Sequence, residues 1–214
     1  MLAFKWLLQW EKNRLSLYST DNLDDYFKKE KINWQELEVI NVGYLQLPSG
    51  FISVDDIFSH FPEPFFHTFA KSVYPVDICR IKNTDKLFPA LKITFNDNLP
   101  VRYETAMRGN EDLDNIKNTD YYGTDIKSGF CIFGDLRSLR FFSEIKNKFK
   151  ILREARKKGW LNFRFFSDDN QDLNVIVCKT GFGEGSFPTW FGYDKDGVIC
   201  CAIVQFIDIN KAFE

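Results

Sequence analysis

Apolar and polar positions change rhythm along this chain, and the change marks its organisation. Over the first forty residues the spacing is helical: Ala3, Trp6, Leu7 and Trp10 fall on one face. "TDNLDDYFKK" offers Thr20 or Asp21 as an N-cap, acids in the first turn and lysines in the last. "NWQELEVI" sets Glu36 three residues after Asn33, the spacing of a capping box. From about residue 42 the period falls to two. "GYLQLPSGFISVDD" reads as two short strands around Pro48-Ser49-Gly50. Tyr74, Val76 and Ile78 alternate with Asp77 and Cys79, and Leu91, Ile93 and Phe95 with Lys92 and Thr94. The same alternation returns at Val101–Thr105 and Leu161–Phe165, as expected of strands with one buried face. "KNTD" and "NDNLP" are turn chemistry, which makes the pairing antiparallel. "VICCAIVQFI" is apolar at nearly every position and reads as a central strand covered on both faces.

One helix interrupts the strands. Ser138 stands as its N-cap, Leu139, Phe142, Ile145, Phe149 and Leu152 follow at spacings of three and four, and Gly159 stops it. Residues 109–120 are acidic and polar, a surface loop. The expected architecture is α+β: a predominantly antiparallel sheet or sandwich, N-terminal helices and one amphipathic basic helix near 138–158. A length of 214 residues suits one domain, divided into a helical extension over 1–41 and a β-rich core over 42–207.

Composition adds three points. Twenty-three phenylalanines make the core aromatic-rich. The net charge of −2 conceals an asymmetry, because residues 137–158 hold nine Lys or Arg against two Glu. Lys150 and Arg153 on that helix are candidates for contact with an acidic protein, while the overall charge argues against a nucleic-acid binder. Five cysteines, an odd number without a CxxC pair, argue for reduced thiols and against a disulfide framework or zinc site. Cys200 and Cys201, adjacent in a strand, are expected on opposite faces. The opening "MLAFKWLLQWEKN" lacks a long apolar stretch and a cleavage site, so a cytoplasmic protein without membrane contact is expected.

The stretch "GFGEGSFPTWFGYDKDGVICC", residues 181–201, is the richest in candidate chemistry. Its glycine spacing is not that of a dinucleotide fingerprint, and no Lys-Ser or Lys-Thr makes a P-loop. Asp194 and Asp196 precede Gly197, but the twelfth position from Asp194 is Gln205, so the calcium-loop pattern breaks. A hairpin turning at Asp194-Lys195-Asp196-Gly197 fits better. Gly181, Gly183, Glu184 and Gly185 then form an open rim, and Trp190 and Asp194 are candidate binding residues beside it. His60 and His67, inside "SHFPEPFFH", have no arranged carboxylate and read as structural. No metal and no cofactor are expected.

Six ordered pieces carry a resemblance: "LPSGFISVDD", "YPVDICRI", "PALKITFND", "PVRYETAM", "YYGTDIKSGFCIFGD" and "GFGEGSFPTWFGYDKDGVICCAIVQF". Over about residues 44–206 they resemble the bacterial family called domain of unknown function 4241. The final hairpin is the most specific piece. The family's aspartate near the glycine-turn segment falls one or two places off, at Asp125, and its terminal Asp-Phe is Gln205-Phe206 here. The resemblance implies a bacterial soluble protein and no particular activity.

With no catalytic constellation in view, the first expectation is a non-enzymatic protein-interaction module, of which an immunity-type inhibitor of a bacterial toxin or enzyme is one form. The alternative is a small-molecule-binding or hydrolytic protein using the Gly181–Gly185 rim. Polar groups converging in an apolar pocket would favour that alternative.

Overall fold

The computed structural model describes residues 2–19, 21–84, 86–114 and 121–213. Thr20, offered above as an N-cap, and residues 115–120 of the acidic loop lie outside them, as does the side chain of Ala3. The fold is α+β, with antiparallel strands in two sheets. Helix α1 (Leu2–Asn13) runs into a 3-10 turn (Arg14–Leu17) and a short helix α2 (Asp25–Lys28). Strands β1 (Lys31–Ile32), β2 (Gln35–Gln46), β3 (Ile52–Asp56), β4 (Val73–Ile81) and β5 (Ala90–Thr94) come next. Strands β6 (Arg102–Thr105), β7 (Gly123–Ile126) and β8 (Phe130–Asp135) precede helices α3 (Leu136–Ser143) and α4 (Lys148–Lys158). Strands β9 (Trp160–Phe166), β10 (Asp172–Lys179), β11 (Gly185–Tyr193) and β12 (Ile199–Gln205) complete the sheets, and a helical turn α5 (Ile209–Ala212) follows.

The larger sheet is a curled half-barrel in the order β1-β2-β4-β5-β12-β11-β6, with β7 pairing along the first half of β11. The smaller sheet has the order β3-β8-β10-β9. Strand β12 is central, between β5 and β11, and fully buried from Cys200 to Gln205, as its unbroken apolar run predicts. Period-two alternation divides the smaller sheet. Cys131, Phe133, Ile176 and Cys178 enter the core shared with the larger sheet. Phe130, Ile132, Val175 and Val177 face the other way, onto Leu139 and Phe142 of α3 and Ile151 and Leu152 of α4.

Two sequence expectations are corrected. The N-terminal extension is helical only to Lys28, and "NWQELEVI" is not a helix. Asn33, at φ +51°, turns a two-residue hairpin that pairs Ile32 with Gln35 and Lys31 with Glu36. Leu37, Val39 and the following β-branched residues then suit a strand, which overrides the Asn33–Glu36 cap spacing. The helix α2 likewise starts late, with Asp24 rather than Asp21 at its N-cap position. The basic helix is two helices. Asp135, not Ser138, caps α3 by accepting from the Arg137 N–H, and Ser138 is buried inside it. Asn147 restarts the chain by accepting from the Lys150 N–H. Gly159 ends α4 as expected, at φ +87° with its N–H on Ala155 O.

Directional polar contacts lock one sheet to the other. Strand β2 bulges at Val42, where Gly43 takes φ +99°. Onto this bulge Asn162 donates to Val42 O and Tyr44 O, each at 3.1 Å. Asn174, wholly buried, donates to Tyr44 O at 2.6 Å and to Asn162 Oδ1 at 2.8 Å, and accepts from the Gln46 N–H at 2.9 Å. Replacing Asn174 with Ala takes the partner from the Gln46 N–H of β2 and from Asn162 Oδ1, while Tyr44 O keeps its bond from Asn162. The expected loss is about 2–4 kcal/mol by urea unfolding, since each orphaned group costs about 1–3 kcal/mol. A loss under about 1 kcal/mol would show that water or repacking replaces the clamp.

Candidate functional site

Antiparallel order gathers four strand ends at one edge of the larger sheet: the start of β4, the end of β5, the start of β12 and the end of β11. A cavity of about 480 Å³ opens there. Its walls come from three separate parts of the chain. The segment between β3 and β4 is held against residues 50–52, with the Phe65 N–H donating to Ile52 O and the Phe69 N–H to Gly50 O. This lays His67, Thr68 and Phe69 along the cavity. The β11–β12 turn contributes Gly197 and Val198. The 3-10 turn contributes Arg14.

Arg14 reaches the site because the N-terminal segment is stitched to β6, the last strand of its sheet. Tyr18 bridges Glu104 antiparallel, and the Ser19 N–H donates to Tyr103 O. Arg14 Nε then donates to Glu104 Oε2 at 2.8 Å. Glu104 is buried, and that burial pushes its carboxyl upward against the pull of Arg14. The Arg14 guanidinium lies 4.6 Å over the Trp10 ring and 5.3 Å over that of Tyr193, and Arg102 lies 4.7 Å over Tyr193.

His67 is packed among aromatic rings, with Trp10, Phe66 and Phe191 at centroid distances of 5.9, 5.1 and 5.2 Å. The Tyr193 hydroxyl is 3.4 Å from Nε2, while Nδ1 is buried without a hydrogen-bond partner. Burial, reinforced by the charge of Arg14, lowers the imidazole to about 4, so it is neutral at pH 7. Phe69 stacks on Phe95 at 4.0 Å, and Tyr74 meets Phe95 edge-on at 5.3 Å. The cavity therefore joins an aromatic wall to one guanidinium, one neutral imidazole and the Asn96 amide.

The residues singled out in the sequence are not gathered here. Gly181, Gly183, Glu184 and Gly185 stand where the chain crosses from β10 to β11, at the far end of β11. Gly185 and Tyr193 are the two ends of a nine-residue strand, roughly 26 Å apart at the usual rise. Gly181 is buried against Ile207, whereas Glu184 and Gly185 are exposed. Trp190 is not on an open rim: it is buried, and its indole N–H donates to Gln205 Oε1 at 3.0 Å. Gln205 in turn donates to the Tyr26 hydroxyl, which donates to Ile207 O. Gln205 thus both accepts and donates, which an ionised aspartate at that place cannot do. Asp194 holds the hairpin turn by accepting from the Asp196 and Val198 N–H groups and from Asn98. It therefore shapes the turn that lines the cavity without itself lining it. Lys150 and Arg153 are exposed on α4. Asp125 is exposed on β7, opposite Ser186.

Arg14 and Tyr193 were not candidates, and His67 was read as structural. Nothing local announces Arg14. The aromatic crowding in "EPFFHTF" and "WFGYD" was the only trace of the site. The two adjacent thiols are also corrected. The register slips so that Gly192 opposes Cys201 while Tyr193 opposes Ile199, making Cys200 the extra residue of a bulge. Both sulfurs lie against Gly192, Cys200 Sγ at 3.3 Å from its carbonyl oxygen. All five thiols are buried and free. Among the described residues no three of His, Cys, Asp and Glu are placed to hold a metal ion, and no helix is long and apolar enough to cross a membrane.

A family model described as "Protein of unknown function (DUF4241)" matches residues 45–204. No curated protein and no solved structure matches the chain.

The lowered His67 has a consequence for stability. Between about 6.5 and 4 the unfolded imidazole binds a proton that the folded one refuses, so stability falls as pH falls through this window. The wild type should lose on the order of 3 kcal/mol relative to His67→Gln over that range. Urea unfolding at pH 7, 5.5 and 4 measures it, and a pH-independent difference would show that the folded imidazole takes up its proton as readily as the unfolded one.

Proposed function

The chain belongs to the DUF4241 family of proteins of unknown function, and on that premise we propose that it is a small-molecule-binding protein whose ligand site is the Arg14–His67–Tyr193 cavity. The observation that carries this reading is the convergence of polar groups in an aromatic-walled cavity of about 480 Å³, a size and lining typical of ligand sites. The reading takes up the alternative stated from the sequence rather than its first expectation, and moves the site from the glycine rim to the opposite end of β11. Binding, rather than hydrolysis, is favoured by the chemistry of the groups. His67 is neutral and has a tyrosine beside it, but among the described residues no carboxylate orients the ring as in a hydrolase relay.

Protein interaction is the second reading, and one surface favours it. Phe149 of α4 packs on Phe58 at 5.2 Å yet remains 72% exposed, and Phe61 is 88% exposed. Lys150 and Arg153 lie on the same helix. One exposed aromatic on a basic helix and a second on the segment after β3 suit a protein partner with an acidic face, such as the target of an immunity-type inhibitor. Nucleic acid is disfavoured by the net charge of −2.

Native mass spectrometry of gently purified protein separates the two readings. The expected result is a bound small molecule that is lost when Ala70→Trp fills the cavity. A protein partner retained by the wild type and lost in Phe61→Ser/Phe149→Ser, with no small molecule present, would favour the second reading instead.

A further inference from the structure

The composition of the cavity wall narrows what it holds. Among the described residues that line it Arg14 is the single charged side chain, and none is acidic. Glu104, the counter-charge, is buried and engages Arg14 through Nε. A guanidinium has further N–H donors in the same plane, set for a second carboxylate. Tyr193, whose hydroxyl is 3.4 Å from His67 Nε2, and Asn96, whose amide donates to Ile199 O and keeps a second N–H, also line the cavity. Phe69, Tyr74 and Phe95, packed on one another, supply the aromatic part of the lining.

We propose that the cavity binds a small aromatic monocarboxylate, with its carboxylate on Arg14 and its ring against Phe69, Tyr74 and Phe95. The proposal rests on the reading of this cavity as a ligand site. A monoanion fits better than a phosphate dianion, because one guanidinium already shared with Glu104 has little positive charge left to offer. A cation is excluded by the same arginine. A neutral aromatic ligand would satisfy the wall but leave Arg14 without the partner its geometry invites.

The inference also gives a role to residues beyond the matched family region. Residues 45–204 supply every part of the cavity wall except Arg14. The shared core would provide the aromatic container, and the N-terminal segment would set the charge preference of the ligand.

Isothermal titration of the full chain with phenylacetate and with its neutral isostere phenylacetamide tests this. The wild type should bind phenylacetate about tenfold or more tighter than phenylacetamide, as expected for a charge-assisted hydrogen bond. Arg14→Gln alone leaves Glu104 buried and unpaired and is a poor probe. In E104Q the guanidinium loses its competitor, and phenylacetate should bind more tightly still. In R14Q/E104Q, where no charge is left unpaired, the preference for the acid should vanish while weak binding of both probes persists. Equal binding of the two probes by the wild type, or a preference that survives in R14Q/E104Q, would overturn the carboxylate assignment and leave the ligand site standing. Failure of both probes to bind, together with no copurifying ligand lost on Ala70→Trp, would overturn the site as well.

Discussion

The amides of half-buried Asn162 and buried Asn174 fix the relation between the two sheets, and the rest of the architecture depends on that relation. Hydrophobic burial brings the sheets together, but it is non-directional and would tolerate several angles and registers. The two asparagines permit one. They need the carbonyls of Val42 and Tyr44 and the N–H of Gln46 at fixed places, and β2 supplies these only because it bulges at Val42. A one-residue slip would turn buried Leu45 outward and leave a buried amide unpaired. From Gln46 the chain passes directly into the turn that begins β3 in the other sheet. The Ser49 N–H and hydroxyl are held there by buried Asp135, at the head of α3. The clamp thus sets where residues 50–52 lie, and through them where His67 and Phe69 stand along the cavity.

The fold was legible to the extent that its signals are local. Alternation over β4, β5, β6 and β9 needs only neighbouring residues, and so does the unbroken apolar run of β12. The errors arose where local signals compete. In "NWQELEVI" a cap spacing and a β-branched alternation overlap, and the partner strand β4 decides the outcome, as tertiary context commonly does. The heptad-like run from Leu139 to Leu152 hides a break, because α3 and α4 both pack on one face of the smaller sheet and so share one apolar stripe. An apolar period shows which side is buried; it does not show that the backbone is continuous.

The candidate site was much less legible. Arg14 and Glu104 are 90 positions apart, and His67 and Tyr193 are 126 apart. No spacing rule reaches that far. The glycine-rich stretch drew attention because its chemistry is local, and the structure assigns most of it to backbone geometry and to the buried Trp190–Gln205–Tyr26 network. What survives from that stretch is the turn at Asp194–Gly197. It shapes one wall of the cavity without supplying a charged group to it.

Glu104 sets a condition that extends beyond this chain. It lies on β6, inside the matched family region, and it is buried beside the cavity. A buried carboxylate without a counter-charge costs several kcal/mol or gives up its charge. Here the counter-charge comes from Arg14, outside the matched region, delivered by a bridge between Tyr18 and β6. A chain with the same core and no such arginine must carry a neutral residue at that place, recruit another cation, or keep the carboxyl protonated. Each alternative changes the charge at the cavity while leaving the sheets untouched. Under the proposed ligand-binding role, selection can therefore act through the N-terminal segment and β6 without disturbing the asparagine clamp that holds the two sheets in register.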